Sequence, residues 1–206
     1  MTTHTAPAAH AAADPRPRFH AAARTALDLI ASTPRDRLAG PTPCTEYDVR
    51  ALIGHLVAVL RRITAVAEGV PLSATTREVT DVPDDGWGEA ADRALRRLEE
   101  VWADPEVLDR RLELPYGRLP GRVALATYTG EVTTHTWDLA MATGRTVSWD
   151  DDVVSAALAA SRAILPSGQR PPGIPFASEV VVPDDAPLID RLVAWQGRDP
   201  GWRAAA

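Results

Sequence analysis

Residues 49–66 read VRALIGHLVAVLRRITAV, and this stretch decides the fold class. Its apolar positions recur at steps of three and four residues, which is the period of one face of an α-helix. A continuous apolar seam of this kind is typical of a helix packed in a bundle. The seam consists of Val49, Leu52, Leu56, Val59, Ile63 and Val66. The sequence therefore predicts an all-α protein built around this helix.

Other helices are predicted on both sides of this one, because apolar residues recur there with the same spacing. Pro and Gly residues separate them, and weak alternation over 112–119 indicates a short hairpin or loop before the fourth helix. Counting the seam helix as the second, the predicted helices cover 19–32, 45–68, 87–103, 120–143 and 150–165, with a short one near 188–195. The second helix is expected to begin at Thr45-Glu46-Tyr47-Asp48, with Thr45 as its N-cap and acidic residues in its first turn.

Three regions are expected along the chain. Residues 1–17 are rich in Ala and Pro without a helical stripe, so we predict a disordered tail there. Residues 18–146 are expected to form a helical bundle. Residues 147–206 are expected to form a C-terminal helix and an irregular, Pro-rich extension packed on that bundle.

Composition narrows the functional classes. The 206 residues are 45% hydrophobic and carry a formal net charge of -6, which fits a folded globular protein. A negative chain is a poor binder of nucleic acid and of anionic membranes, because both attract basic patches. No signal peptide or long apolar run is visible, and the single cysteine, Cys44, excludes an intramolecular disulfide, so we expect a cytoplasmic protein. Cys44 precedes a helix N-terminus, whose dipole would lower the thiol pKa, but a packing role is favoured.

Two potential metal ligands lie four residues apart on the fourth helix. Glu131 and His135 share one helical face, with Cβ atoms roughly 5–6 Å apart. They belong to a stripe with Tyr128, Val132, Leu139 and Ala142 that predicts an inward orientation. His55 on the second helix would complete a His2Glu set, which leaves a tetrahedral zinc ion with one open position. A Glu–His hydrogen bond explains the same pattern, and spacing alone leaves both readings open.

Three neighbours of this pair are further candidates. Asp138 could accept the other imidazole N–H of His135 and orient that ring, or it could be a helix-surface acid near Arg145. Tyr128 and Trp137 could line a pocket above the metal, although aromatic residues at helical spacing more often belong to a core.

Three segments together resemble one protein family. Residues 42–56, TPCTEYDVRALIGHL, and residues 131–140, EVTTHTWDLA, resemble the two motifs of the mycothiol-dependent maleylpyruvate isomerase family, within the DinB-like metal-binding four-helix bundles. Residues 186–200, APLIDRLVAWQGRDP, resemble the tail of an actinobacterial subgroup of that family. The resemblance implies a DinB-like bundle in which His55, Glu131 and His135 bind a divalent metal, usually zinc.

The leading functional hypothesis is therefore a mycothiol-dependent transferase or isomerase. The metal would activate mycothiol, or a similar small thiol, as cosubstrate for an electrophilic small molecule, and Arg side chains would bind the polar groups of the thiol. One alternative is a thiol-independent metalloenzyme, namely a hydrolase, lyase or cyclase that uses the same residues. Another is a non-catalytic metal-binding bundle. The expected partners are small molecules, and a homodimer stays open.

Overall fold

The computed structural model of the chain describes residues 14–165, 167–168, 170 and 176–204. Over these residues the protein is mostly helical, which confirms the predicted all-α class. The helices are α1 (Arg16–Ala31), α2 (Val49–Ala67), α3 (Trp87–Trp102), α4 (Gly121–Thr143), α5 (Asp151–Ile164) and α6 (Leu188–Trp195). The expected hairpin is also present, with β1 (Arg111–Leu114) antiparallel to β2 (Gly117–Pro120).

The first four helices form the bundle. Both α1 and α2 pack against α3 and α4, and α1 and α2 touch each other only slightly, so the four helices form a ring around one apolar core. Burial of large apolar side chains drives this packing, at roughly 1.5–3 kcal/mol for each one. The largest fully buried side chains include Phe19, Leu52, Ile63, Leu98, Trp102 and Leu125. The predicted four-helix bundle is therefore what these residues form.

Helix α1 begins earlier than expected. Residues 1–13 of the predicted tail lie outside the described residues, but Arg16 and Pro17 are already helical. Proline is tolerated in the first turn because its missing N–H has no partner there in any case. The Asp14 carboxylate accepts hydrogen bonds from the Arg16 backbone and side chain at 3.0 Å, which supports the early start.

The N-terminus of α2 is capped by a different residue from the one expected. The pattern beginning at Thr45 predicted an N-cap there, but the chain makes a turn in which the Tyr47 N–H donates to the Cys44 carbonyl. The N-cap is instead Asp48, whose side chain accepts from the Ala51 N–H at 2.8 Å. This shift matters for the site, because it frees residues 40–47 to fold across the bundle.

The capping assignment gives a first testable prediction. Replacing Asp48 with Ala is expected to lower the free energy of unfolding by about 1 kcal/mol, because one N–H at the start of α2 loses its acceptor. Urea unfolding followed by circular dichroism measures the change. Thr45→Ala, at the exposed position predicted from sequence, is the matched control and should have no comparable effect. Equal losses in the two variants would contradict the assignment.

Helix α4 is buried around nearly its whole circumference. The predicted inward stripe is therefore too narrow, because α1, α2, the hairpin, α5 and α6 all pack against this helix. Four of its threonines pair their hydroxyl groups within the helix, since a threonine hydroxyl can donate to the carbonyl group four residues earlier. This bond is present at Thr127, Thr129, Thr136 and Thr143. Glu131 and His135 thus belong to the central helix of the protein.

The C-terminal part packs on the bundle through α4. Helix α5 lies against α4, and α6 lies against α5, with a small apolar cluster of its own between them. Part of the Pro-rich stretch, namely residues 166, 169 and 171–175, lies outside the described residues. The division at residue 146 falls between α4 and α5 and stays a prediction. Among the described helices, none has the length and apolar character needed to cross a membrane.

Candidate metal site

A folded-back segment forms one wall of the site. The Val49 N–H donates to the Gly40 carbonyl, and the Thr42 hydroxyl lies 2.8 Å from the carbonyl groups of Cys44 and Tyr47. The segment, residues 40–48, is thereby held against the bundle. It stacks the Tyr47 ring on His55, with ring centroids 4.9 Å apart.

The structure brings all three predicted ligands together. Helix α2 supplies His55, and α4 supplies Glu131 and His135; their ligand atoms lie within 4.8 Å of one another. The two imidazole rings are nearly perpendicular, with centroids 4.8 Å apart. Both histidine side chains are buried, whereas the Glu131 side chain is 25% exposed. The cluster therefore lies deep between two helices but keeps one side open to solvent.

The hydrogen bonding of His55 determines which ring nitrogen is free. Its Nδ1 lies 2.8 Å from the backbone carbonyl of Arg77, and a carbonyl oxygen can only accept. Nδ1 therefore carries the proton and donates. In the neutral ring this leaves Nε2 with a lone pair, and Nε2 lies 3.4 Å from Oε1 of Glu131.

His135 is held in the same way by a carboxylate. Its Nδ1 lies 3.0 Å from Oδ2 of Asp138, which is fully buried. The predicted orienting contact is therefore present, and Asp138 is not a surface acid. Arg145, the alternative partner, instead donates to the backbone carbonyl of Ser32. The Nε2 atom of His135 is thus left free of the Asp138 contact.

Three acceptor atoms consequently converge on one point. Two imidazole lone pairs and one carboxylate repel each other unless a cation lies between them. A proton on His55 would give the Glu–His hydrogen bond considered above. A divalent metal satisfies all three atoms at once, because neutral imidazole and carboxylate are ligands that zinc binds.

Electrostatics keep the ligands in forms that can bind a metal. Burial raises the pKa of Glu131, but contacts with His55 outweigh it when that ring is protonated, with smaller contributions from His135 and Arg62, so the net pKa is lowered. A divalent metal would supply the same positive charge when both rings are neutral. Burial is also the main cause of the lowered pKa of His135, which keeps that ring neutral near pH 7. An ionised carboxylate and a neutral imidazole are the states that metal binding requires.

Cys44 lies next to this cluster without joining it. The Cys44 thiol lies within 4.8 Å of ligand atoms of His135 and Asp138. Among the described residues, no fourth His, Cys, Asp or Glu joins the set of His55, Glu131 and His135. Burial raises the pKa of Cys44, so the expectation of a helix dipole lowering it is wrong. Cys44 as a residue is 7% exposed, and α2 begins five residues later, at Val49. The packing role favoured from sequence agrees with this burial.

The two predicted pocket residues have different surroundings. Tyr128 is 1% exposed and lies close enough to Glu131 for that charge to add to burial in raising the Tyr128 pKa. Trp137 is buried on α4, but among the described residues the aromatic ring contacting both histidines is that of Tyr47. Tyr116, at the tip of the hairpin, also senses the Glu131 charge, and its side chain is half exposed.

Sequence reasoning did not assign site roles to Tyr47, Arg62 and Arg198. Tyr47 is part of the first motif but was considered only for helix capping. Arg62 follows His55 by seven residues, a spacing that places both on one side of α2, and it is buried with a hydrogen bond to the Thr76 carbonyl. Arg198 forms an ion pair with Asp138 from 60 residues away, and no local pattern could have indicated that.

Comparison with known proteins places the chain in a family. The family model of the mycothiol maleylpyruvate isomerase N-terminal domain matches residues 19–140. The chain belongs to this family. Membership fits a mycothiol-associated, metal-binding bundle of the DinB-like type, as the two motifs indicated.

Two proteins of Mycobacterium tuberculosis are similar in sequence to this chain. They are the uncharacterized protein Rv0738 of strain H37Rv and the uncharacterized protein MT0763 of strain CDC 1551. Each is 36% identical over 170 residues, which cover 82% of this chain and 90% of the relative. The similarity thus extends beyond the 19–140 domain. No solved structure gave a significant match.

Proposed function

We propose that this protein is a metal-dependent enzyme that uses mycothiol, or a similar small thiol, as cosubstrate. The reaction would be transfer of the thiol to an electrophilic small molecule, or isomerisation of that molecule. The observation that carries the proposal is the convergence of two imidazole lone pairs and one carboxylate on a partly open point. Family membership supports the choice of thiol.

The three residues fit a divalent ion, with zinc as the first candidate. His55, Glu131 and His135 would hold it, and Asp138 would orient His135. Three protein ligands leave one position for a small molecule, as in catalytic zinc sites. The absence of a fourth ligand of these types among the described residues supports a catalytic rather than a purely structural site.

The chemistry required is activation of a thiol. A divalent ion held there lowers the pKa of a thiol that reaches the open position, so that the thiolate is present at neutral pH. The Glu131 side chain is 25% exposed, and the thiol would approach the ion from there. Arg62 contributes a buried positive charge near Glu131, which would stabilise anionic groups of the reactants.

Small molecules are the partners that this proposal requires. The net charge of -6 supports small molecules over nucleic acid or an anionic membrane surface. The cytoplasm is the proposed compartment, because its reducing conditions keep both mycothiol and Cys44 as thiols. A homodimer remains compatible with the proposal.

Thiol binding at the metal tests the function directly. The protein is reconstituted with Co²⁺ as a coloured substitute for zinc and titrated with mycothiol. We expect a new sulfur-to-cobalt charge-transfer absorption band that saturates with the thiol. S-methylated mycothiol, which presents the same sugar groups without a free thiol, is the matched control and should produce no such band. Unchanged cobalt absorption with mycothiol would contradict thiol use and favour a thiol-independent metalloenzyme.

A further inference from the structure

Arg198 reaches from the C-terminal segment into the interior of the bundle. Its Nε lies 3.1 Å from Oδ1 of Asp138, and its Nη2 lies 3.1 Å from Oδ2. The Arg198 side chain is 11% exposed and the Asp138 side chain is not exposed at all. A two-pronged contact of this kind holds a carboxylate in one orientation.

The backbone around Arg198 is shaped to deliver this side chain. Gly197 has a φ of +83°, and a Cβ there would lie 2.7 Å from the Ala177 carbonyl oxygen, so a side chain at this position would be both strained and obstructed. The Arg198 N–H donates to the Val193 carbonyl and closes the end of α6. The side chain therefore leaves a tight turn and points toward α4.

Asp138 connects Arg198 to His135. Its Oδ2 accepts from Nδ1 of His135 as well as from Arg198. A carboxylate without access to water is costly unless it is paired, and without Arg198 the Asp138 side chain would lose the contact that fixes its orientation. Its hold on the His135 N–H would then weaken, and the His135 ring would lose its fixed direction.

We propose that Arg198 is a positioning residue of the metal site, acting through Asp138 on His135. The inference rests on the proposed metal site and extends it to a segment outside residues 19–140, the part of the chain that the family model matches. The C-terminal segment is then a component of the site and not only a cover for α5.

Zinc affinity of the full-length protein tests the role of Arg198. Wild type, Arg198→Met, Arg198→Lys and Gln196→Ala are compared by competition with a chelator, and their Co²⁺ absorption spectra are recorded. Gln196→Ala is the matched control, because Gln196 is buried in the same segment but donates to Ser161 on α5. Circular dichroism of each metal-free protein reports whether it is folded.

We expect Arg198→Met to lower zinc affinity about 10- to 100-fold, the usual effect of removing a partner that orients a ligand. Its cobalt spectrum should change as well, because the direction of the His135 ring changes. Arg198→Lys should recover part of the affinity, since the charge remains but the two-pronged contact is lost. Gln196→Ala should keep both the affinity and the spectrum of wild type.

The failures of the two proposals are distinguishable. If wild type binds zinc and both Arg198 variants bind it equally well, the positioning role is wrong and the metal site stands. An equal loss of affinity in Gln196→Ala would also overturn the role, because general packing would then explain both. If Arg198→Met does not fold, Arg198→Lys decides alone. A wild-type protein that binds no zinc ends both proposals.

Discussion

Alanine at Glu131 or at His135 is expected to remove tightly bound zinc from the purified protein. Each substitution leaves two of the three converging atoms, and a pair of ligands holds zinc far more weakly than three. Loss of a residue that merely orients a ligand costs about 10- to 100-fold in affinity, so loss of a ligand should exceed about 100-fold. Elemental analysis of the purified variants, followed by chelator competition, measures the change.

Two other side chains provide matched controls for these ligands. Glu100 is an exposed carboxylate on α3 that pairs with Arg97, and His20 lies on α1 near Arg24 and Glu99. Alanine at either should leave zinc content unchanged. Stoichiometric zinc in both Glu131→Ala and His135→Ala would remove the site from consideration. Zinc lost equally from the control variants would show that the ion is bound elsewhere.

Substitution of Gly54 is expected to have the second large effect. A Cβ at this position would lie 2.3 Å from the carbonyl oxygen of Val79, and the Val79 N–H donates back to the Gly54 carbonyl. The loop after α2 can approach the helix only because residue 54 has no side chain. Gly54→Ala should therefore destabilise the protein by about 3 kcal/mol, near the upper end for overpacking. Thermal and urea unfolding measure the loss.

The same substitution should reach the metal site. Relief of the clash moves the loop outward, and the Arg77 carbonyl that holds Nδ1 of His55 moves with it. Zinc affinity of Gly54→Ala should fall even where the protein remains folded. Gly88→Ala is the control, because its Cβ would meet the side chain of the exposed Ala31 at 3.3 Å, where small adjustments suffice. Wild-type stability in Gly54→Ala would show that the loop is not held as described.

The sequence predicted the helices well because helix signals are local. The bounds of α3, α4 and α5 agree with expectation to within one or two residues, since apolar spacing and Pro or Gly at the ends act over a few residues. The start of α2 was less accurate, because both Thr45 and Asp48 can cap a helix. Tertiary contacts decided between them.

The site was predictable only in part, for a related reason. Glu131 and His135 are a local pair, and His55 lies beside the apolar seam of the predicted second helix. The Arg77 carbonyl that orients His55 could not be predicted, because every residue type has the same backbone carbonyl group. Arg198 was equally hidden, since 60 residues separate it from Asp138. The pKa direction at Cys44 was wrong because burial outweighs a helix end five residues away.

Buried Cys44 provides a probe of local opening in this protein. It is the one cysteine of the sequence, and it belongs to the segment 40–48, with its thiol beside His135. A thiol-labelling reagent can reach the buried thiol only when the segment 40–48 moves away from the bundle, so the labelling rate reports the frequency of this local opening. An ion that ties His135 to His55 and Glu131 would make the openings rarer. The labelling rate of Cys44 thus measures how often the metal site opens to solvent.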